Sequence, residues 1–371
     1  MRKTRITRKR FLTLSCLGAA GLAVGCSSSG GTYSPEGGES GNQTTQNPSL
    51  DRLKDNVVSG GPGKDGIPPI DNPKFVSAGE MDELLKPEDK VFVLDYKGET
   101  KVYPQPVLVW HEIVNDEVAG EKLSVTYCPL TGSTVAFKGR SPNGDPLTFG
   151  TTGSLVNSNL LMYDRATASE WPQILSRAID GSLRGKSLEE IPLIWTTWKQ
   201  WKERGTDAPV LSTDTVHFRN YGTDPYGSYS GTDKGYYENP TTIFEVLAES
   251  DRLGPKEIVV GIKSGDKRHA IPKKTALERG VWNLDLNGRP VAAVADSNLE
   301  TVRVFDRSAD GETLEFESGG KSDLLDQKGR AWSRKGLALS GPGGATLPAV
   351  NFYEVMWFGW YAFYPETGLT T

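Results

Sequence analysis

The segment VFVLDYKGETKVYP, residues 91–104, decides the fold of this chain. Its two halves are rich in β-branched and aromatic residues, and Lys97-Gly98-Glu99 between them is typical of a tight turn. The segment therefore predicts two antiparallel strands. Further strands are expected at residues 123–127, 133–138 and 147–149, so the whole pattern indicates a mostly β chain of the α+β class.

The second half of the chain repeats this pattern in a weaker form, beginning with IVVGIKSGDKRHAIP at residues 258–272. Other positions correspond at a constant offset or after small gaps: Val114-Asn115 with Trp282-Asn283, Gly120 with Gly288, Phe137 with Phe305, Asp164 with Asp326, and Trp171 with Trp332. Such self-similarity predicts two tandem, degenerate repeats of one β-rich unit, packed together with a few short helices. We expect five parts: a signal peptide with a lipobox (1–26), a disordered tether (27–64), the first repeat (65–205), a connecting segment rich in Tyr, Gly and Asp (206–257), and the second repeat (258–371).

The N-terminus reads as an export signal. A cationic start is followed by an apolar run, residues 11–24, that is too short to span a bilayer permanently. The sequence Leu22-Ala23-Val24-Gly25-Cys26 resembles a lipobox, so Cys26 is expected to carry lipid and to anchor an extracytoplasmic protein to the membrane. An ordinary signal peptide is the alternative, and both the general secretory and the twin-arginine route stay open.

Composition and cysteine usage narrow the classes of function. The 371 residues are 36% hydrophobic and 24% charged, enough for a sizeable core, and the net charge is −5. No basic face is evident beyond the N-terminus, so nucleic acid is not an expected partner. If Cys16 leaves with the signal peptide and Cys26 is lipidated, Cys128 has no partner for an intramolecular disulfide.

Two neighbouring stretches, WHEIVND at residues 110–116 and YCPLTGS at residues 127–133, contain the strongest candidates for chemistry. A thiolate and an imidazole are good ligands for copper(I) or zinc, so His111 and Cys128 form a candidate metal site. Alternatively, Cys128 attacks a substrate, His111 deprotonates it, and Asn115 or Asp116 orients the imidazole, as in a hydrolase or transferase.

A third possibility is a binding site in the loop that follows residues 150–154. Its candidate ligand-binding residues are Asn157, Asn159, Tyr163, Asp164 and Arg165. The structural alternative is that Asp164 and Arg165 pair with each other. The second repeat lacks most of the polar candidates, which suggests one active and one supporting unit.

Three local predictions concern elements around this site. Ser77 is expected to cap a helix over residues 77–85, and Thr196 or Thr197 a helix whose tryptophans pack into the core. The aromatic run at residues 356–364 is expected to be a buried closing strand. Residues 220–240 are expected to form a surface loop, in which Asp224 is a weak candidate for calcium binding.

Several motifs together resemble the family called domain of unknown function 3179. They are IPPIDNP (67–73), WHEIVND (110–116), YCPLTGS (127–133), NSN (157–159), MYDR (162–165), DPYG (224–227) and GWYAFYP (359–365). The resemblance implies an exported, lipoprotein-like protein and names no activity. It also implies a frequent second cysteine where this chain has Thr131, a departure that puts dithiol chemistry in doubt here.

The sequence thus predicts an exported, lipid-anchored protein that binds a ligand or a metal ion through a His/Cys/Asp site in the first repeat. Two alternatives stay open: a Cys–His hydrolase or transferase, and a purely structural or protein-binding surface lipoprotein. The sequence does not identify the small-molecule or protein partner, nor does it decide whether the protein is an enzyme.

Overall fold

The computed structural model describes residues 46–205, 207–230, 234–309, 311–319 and 324–371. The predicted signal peptide, Cys26 and most of the tether lie outside these residues. The model is 41% strand and 12% helix, so the mostly β prediction is confirmed. No helix within the described ranges is long and apolar enough to cross a membrane.

The elements up to residue 211 form the first unit. They are α1 Leu50–Asp55, β1 Val58–Ser59, β2 Phe75–Val76, α2 Ala78–Met81, β3 Lys90–Tyr96, β4 Glu99–Pro104, α3 Gln105–Leu108, β5 Ile113–Val118, β6 Glu121–Cys128, β7 Ser133–Lys138, β8 Phe149–Val156, β9 Asn159–Asp164, β10 Glu170–Pro172, β11 Glu189–Ile191, β12 Ile194–Thr197, α4 Trp198–Lys202 and β13 Val210–Leu211.

The second unit begins at residue 258. It comprises β14 Ile258–Ser264, β15 Lys267–Pro272, α5 Lys273–Arg279, β16 Val281–Asp285, β17 Pro290–Asp296, β18 Thr301–Asp306, β19 Ser308–Ala309, β20 Glu312–Thr313, β21 Phe316–Ser318, β22 Leu324–Asp326, β23 Ala331–Lys335, β24 Ala338–Ser340, β25 Thr346–Pro348, β26 Asn351–Met356, α6 Trp357–Phe363 and β27 Gly368–Leu369. A 3-10 turn, Gly235–Tyr237, lies between the units, and another, Pro342–Gly344, lies before β25.

The order and pairing of elements are similar in the two units. The hairpin β3–β4, then α3 and the sheet β5–β6–β7, have counterparts in β14–β15, α5 and β16–β17–β18. Strand β12 pairs antiparallel with β3 as β26 does with β14, and β13 lies parallel to β4 as β27 does to β15. This arrangement is compatible with the two predicted repeats.

Two pairs of side-chain contacts also recur between the units. Asn115 in β5 donates to the Phe149 carbonyl and accepts from the Phe149 amide, as Asn283 in β16 does with Phe316. The indole of Trp171 donates to Asp164, as the indole of Trp332 does to Asp326. Each contact fixes one strand against the next, because a buried polar group must find a partner.

Local sequence signals account for the turns and the caps. Lys97 and Gly98 have φ values of 51° and 85°, which suit a tight two-residue hairpin turn. Ser77 caps α2 and Thr197 caps α4, each through a capping box, as predicted. Helix α2 ends at Met81, earlier than the predicted residue 85. The tryptophans of the α4 region are buried in the core, as predicted.

The aromatic run near the C-terminus was expected to be a strand, and this prediction is wrong. Strand β26 ends at Met356, and the run from Trp357 onward forms helix α6. Trp357 and Trp360 are fully buried. A segment that is apolar on every side has no periodicity that distinguishes a buried helix from a buried strand.

The expected surface loop at residues 220–240 is also wrong where its tyrosines are concerned. Tyr221, Tyr226, Tyr236 and Tyr237 are buried and belong to the main hydrophobic core with strands of the first unit. Their phenol rings contribute apolar area, and the hydroxyls of Tyr221, Tyr236 and Tyr237 reach polar partners, as buried tyrosines usually do. The segment therefore forms a wall of the first unit.

Candidate functional site

His111 lies in the turn between α3 and β5 and is fully buried. Its Nδ1 lies 2.7 Å from the Pro68 carbonyl oxygen, and its Nε2 lies 2.7 Å from the Tyr221 hydroxyl. A carbonyl only accepts, so Nδ1 carries the proton, and in the neutral ring Nε2 accepts from Tyr221. Burial lowers the pKa of His111 to about 4, which keeps the ring neutral near pH 7.

Cys128 ends strand β6 and is also fully buried. Its Sγ lies 3.9 Å from the Ser158 carbonyl oxygen, whereas both nitrogens of His111 bond elsewhere. The structure gives the two predicted metal ligands separate partners. Among the described residues, no three His, Cys, Asp or Glu side chains come together in a group that could hold a metal ion.

Asn115 and Asp116, the predicted orienting residues, have other partners than His111. The Asp116 carboxylate accepts from Lys101 Nζ, 3.1 Å from each oxygen, and from the Tyr103 hydroxyl at 2.7 Å. The Asn115 side chain bonds to the backbone of Phe149 and to the side chains of Asp71 and Ser124. The imidazole is instead oriented by Pro68 and Tyr221, so the geometry gives no support to a Cys–His–Asn arrangement.

The predicted ligand-binding asparagines are used inside the protein. Asn157 donates to the Ala362 carbonyl at 3.0 Å and accepts from the Leu247 amide at 2.8 Å. Asn159 has three bonds within a buried polar network: to Thr131 Oγ1, to Gln173 Oε1 and from the Ile174 amide. Thr131, where relatives are expected to have cysteine, is part of this network.

The other loop residues likewise hold the loop in place. Asp164 is buried and accepts from the Trp171 indole at 3.0 Å and from the Thr167 amide at 2.6 Å. Arg165 forms a two-pronged ion pair with Asp71, with distances of 2.6 and 3.0 Å, so it does not pair with Asp164 as the structural alternative proposed. The Tyr163 hydroxyl donates to Asp65 Oδ2 at 2.6 Å.

Three of the predicted residues do share one feature. Asn115, Asp116 and Arg165 line an open groove on the surface of the first unit, together with Asp71. Because their polar atoms already bond to one another or to nearby side chains, the groove offers few unused donors or acceptors.

A better site lies next to these residues, around the half-buried carboxyl group of Asp224. One of its oxygens accepts from Gln105 Nε2 at 2.7 Å and from the Tyr237 hydroxyl at 2.8 Å. The other accepts from the Tyr226 amide at 2.8 Å. Gln105 begins α3, directly after the hairpin, so the fold-deciding segment also positions this contact.

Tyrosines extend the site from Asp224 toward the core. The hydroxyl of Tyr127, the neighbour of Cys128, lies 2.9 Å from that of Tyr229 and 3.3 Å from that of Tyr237. The rings of Tyr229 and Tyr237 stack with centroids 4.0 Å apart. Of the carboxyl groups in the described part of the chain, Asp224 is thus the one bonded within this cluster of tyrosine hydroxyls.

Burial changes the acidity of these groups. The pKa of Asp224 is raised to about 6, chiefly because burial disfavours the charged carboxylate, although the bonds from Tyr226, Gln105 and Tyr237 oppose this effect. Burial also raises the pKa of Tyr229 and of Tyr237 well above the ordinary value for tyrosine. Asp224 can therefore exchange a proton near pH 6 while the tyrosines stay protonated.

The site opens to solvent through a cleft with about 100 Å³ of space. The residues that line it include Gln105, Asp224 and Tyr229, and also the charged residues Lys86, Glu88, Asp89 and Lys90. Tyr221, which donates to His111, lies in the same lining, and Trp110 donates to the Thr223 carbonyl beside it at 3.1 Å. The predicted WHEIVND stretch therefore supports a wall of the cleft.

The histidine and the aspartate should respond to acid in opposite ways. In the unfolded chain His111 has its ordinary pKa of 6.5, so below that pH the unfolded state binds the extra proton and unfolding becomes easier. Between pH 7 and pH 5 this protonation lowers the free energy of unfolding by about 2 kcal/mol. Asp224 has a raised pKa, so below about pH 6 the folded state binds its proton first and the contribution of Asp224 to stability increases as the pH falls.

We therefore expect His111→Gln, which keeps a donor for Pro68 and an acceptor for Tyr221 but does not titrate, to lose less stability than the parent between pH 7 and pH 5. Urea unfolding at both pH values measures the difference, and the parent chain is the reference because the Asp224 contribution then cancels. Equal losses in parent and variant would contradict the prediction, because they would show that the pKa of His111 in the folded chain is close to its ordinary value.

The sequence prediction did not include Gln105, Tyr229 and Tyr237 among the site residues, and it considered Asp224 only as a weak calcium ligand. The available signal was the DPYG motif at residues 224–227, a polar residue placed among tyrosines. No local sequence pattern connects Asp224 to Gln105, because the two residues are 119 positions apart.

Comparison with known proteins gives a family and no activity. A family model described as "Protein of unknown function (DUF3179)" matches residues 64–367. No curated protein and no solved structure matches the chain significantly. The matched residues include the hairpin, Asp224 and its tyrosines, and most of both units. The chain therefore belongs to the DUF3179 family, as its motifs indicate.

Proposed function

We propose that this protein is an exported, lipid-anchored binding protein whose cleft at Asp224 takes a small polar molecule. The observation that supports this most directly is the position of Asp224, a carboxyl group with a raised pKa at a cleft that is open to solvent. Buried polar groups that meet a cleft and have perturbed pKa values are frequent at functional sites.

The chemistry of the cleft limits the class of ligand. Asp224 and Gln105 offer acceptors and donors, the tyrosines offer hydroxyls, and the rest of the lining has charges of both signs. The small space excludes large ligands. We therefore infer a small molecule with several hydroxyl or amino groups, such as an amino acid, a polyol or a monosaccharide.

The test is a thermal unfolding screen of the purified full chain against a panel of amino acids, polyols and monosaccharides. A ligand that binds only the folded state raises the unfolding temperature as its concentration passes the dissociation constant. We expect at least one compound class to do so, with an affinity that changes around pH 6 because Asp224 titrates there.

Two variants connect such binding to the cleft. Asp224→Asn should abolish the change of affinity near pH 6, because the asparagine side chain does not titrate. It should also weaken binding at least tenfold, because the carboxylate that contacts the ligand is lost. Asp145→Asn, on an exposed turn of the first unit, is the matched control and should bind like the parent. A panel without any stabilising compound, or stabilisation that persists in Asp224→Asn, would rule out this site.

The lipid anchor is the second part of the proposal. It rests on the sequence that precedes Cys26 and on the polar tether that follows it. Metabolic labelling of the full chain with a fatty acid in a bacterial host should mark the parent protein and not Cys26→Ser. Label in both proteins would place the lipid elsewhere, and label in neither would argue against an anchor.

A further inference from the structure

The Asp224 carboxylate keeps one acceptor position that no donor in the described part of the chain reaches. A carboxylate has about four such positions, shared between its two oxygens. Oδ2 accepts two bonds, from Gln105 Nε2 at 2.7 Å and from the Tyr237 hydroxyl at 2.8 Å. Oδ1 accepts one bond, from the Tyr226 amide at 2.8 Å. One position on Oδ1 therefore remains for a donor from a ligand in the cleft.

The donors that do reach this carboxylate carry no charge. They are a side-chain amide, a phenol and a backbone amide, and no lysine or arginine of the described ranges pairs with Asp224. A carboxylate that is partly removed from water and held only by neutral groups is costly unless a cation approaches it. The cleft thus offers a better place to a cation than to a neutral molecule.

The other charged groups of the cleft do not supply this cation. The charged residues of its lining are Lys86, Glu88, Asp89, Lys90 and Asp224, so it has three acids for two lysines. Lys86 is exposed, and its charge acts on Asp89, whose own charge adds to the raised pKa of Asp224. The charge of Lys90 interacts with charged side chains of the second unit. Asp224 is left with a negative neighbour and no positive one among these residues.

Aromatic rings border the same carboxylate. Tyr229 lines the cleft, and its ring stacks on that of Tyr237 with centroids 4.0 Å apart. Tyrosine rings attract cations through their electron-rich faces, and substituted ammonium groups are recognised in this way. The tyrosines therefore favour the same kind of ligand as the carboxylate does.

We infer that the ligand of this cleft is a small organic cation, whose protonated amino group donates to Asp224 Oδ1. This inference rests on the proposed function and narrows its ligand class to amines. An amine cation binds the ionised carboxylate, so below about pH 6 Asp224 must lose a proton before the ligand binds. Affinity should therefore fall about tenfold from pH 7 to pH 5, which is the ratio of the ionised fractions of a carboxyl group with a pKa of about 6.

The test is a calorimetric titration of the purified full chain, at constant ionic strength, with matched pairs of probes: ethanolamine and ethylene glycol, serinol and glycerol, putrescine and butanediol. In each pair, protonated amino groups replace hydroxyl groups. We expect at least one amine to bind at pH 7 at least tenfold more tightly than its neutral partner, and to bind about tenfold more weakly at pH 5.

Three variants connect this preference to the carboxylate. Asp224→Asn should remove both the preference for the amine and its pH dependence, whereas Asp145→Asn should retain both. Asp89→Asn should move the midpoint of the pH dependence to lower pH, because the charge of Asp89 helps to raise the pKa of Asp224.

The outcomes separate this inference from the proposed function. A neutral probe that binds as tightly as its amine partner, and loses its binding in Asp224→Asn, would overturn the inference and leave the proposed function standing. So would a sugar or polyol that binds at the cleft when none of the amines does. An amine that binds more tightly at pH 5, or equally well to Asp224→Asn, would also overturn the inference. If no compound of any class binds, both the inference and the proposed function fail.

Discussion

Replacing Lys263 with methionine should destabilise the protein by about 3–5 kcal/mol, because it leaves a buried carboxylate without its cation. Lys263 in β14 forms an ion pair with Glu190, and the two side chains are only 7% and 6% exposed. The same ammonium group donates to the Ile174 carbonyl at 2.6 Å and to Ser176 Oγ at 2.9 Å. Methionine fills similar space but provides no donor.

The position of these contacts explains why the effect should be large. Lys263 belongs to the second unit, whereas Ile174, Ser176 and Glu190 belong to the first. The Tyr353 and Tyr364 hydroxyls, also from the second unit, donate to the same Ile174 carbonyl at 3.0 Å each. One ammonium group therefore connects the two units at a buried point, where water does not take over its hydrogen bonds when it is removed.

Urea unfolding followed by tryptophan fluorescence measures the change, and two variants test its cause. Lys267→Met, at an exposed position in the neighbouring strand, should change stability by less than about 0.5 kcal/mol. Adding Glu190→Gln to Lys263→Met removes the uncompensated charge and should restore part of the loss. A loss below about 1 kcal/mol in Lys263→Met would contradict a buried ion pair.

The contrast between predicted and observed elements follows from the range of the interactions. The β3–β4 hairpin and the caps at Ser77 and Thr197 were predictable because turn and cap chemistry acts within four residues. Helix α6 was not, because part of its surroundings comes from residues far away in the sequence, such as Thr131 and Ile174 beside Gly359. The sequence identified His111 as notable, yet its partner Tyr221 lies 110 positions away.

The candidate site shows the same limit more strongly. Composition drew attention to Cys128 and to the Asn157–Arg165 loop, since rare or polar residues in apolar sequence often have a function. In the structure most of those polar groups bond internally, and what reaches the cleft is a carboxyl group from a segment that was expected to be a surface loop. Polar residues that stabilise a fold and polar residues that bind a ligand have the same sequence signal.

Asn115 allows that distinction to be tested, and Asn115→Ala should cost about 3–4 kcal/mol of stability. Its side chain donates to Asp71 at 2.8 Å and to the Phe149 carbonyl at 2.9 Å. It accepts from Ser124 Oγ at 2.7 Å and from the Phe149 amide at 2.9 Å. Alanine removes these four bonds at a position that is 6% exposed, although Asp71 keeps its ion pair with Arg165.

The second unit supplies the matched control. Among the described residues, Asn283 bonds through its side chain to Phe316 alone, with two bonds, and it is half-buried, so Asn283→Ala should cost about 1–2 kcal/mol. Asn115→Asp, which keeps the acceptor but sets a carboxylate beside Asp71 and a carbonyl, should be at least as harmful as alanine. Urea unfolding of the three variants ranks them. If Asn115→Ala were no worse than Asn283→Ala, the number of buried hydrogen bonds would not be the cause, and a binding role for Asn115 would regain support.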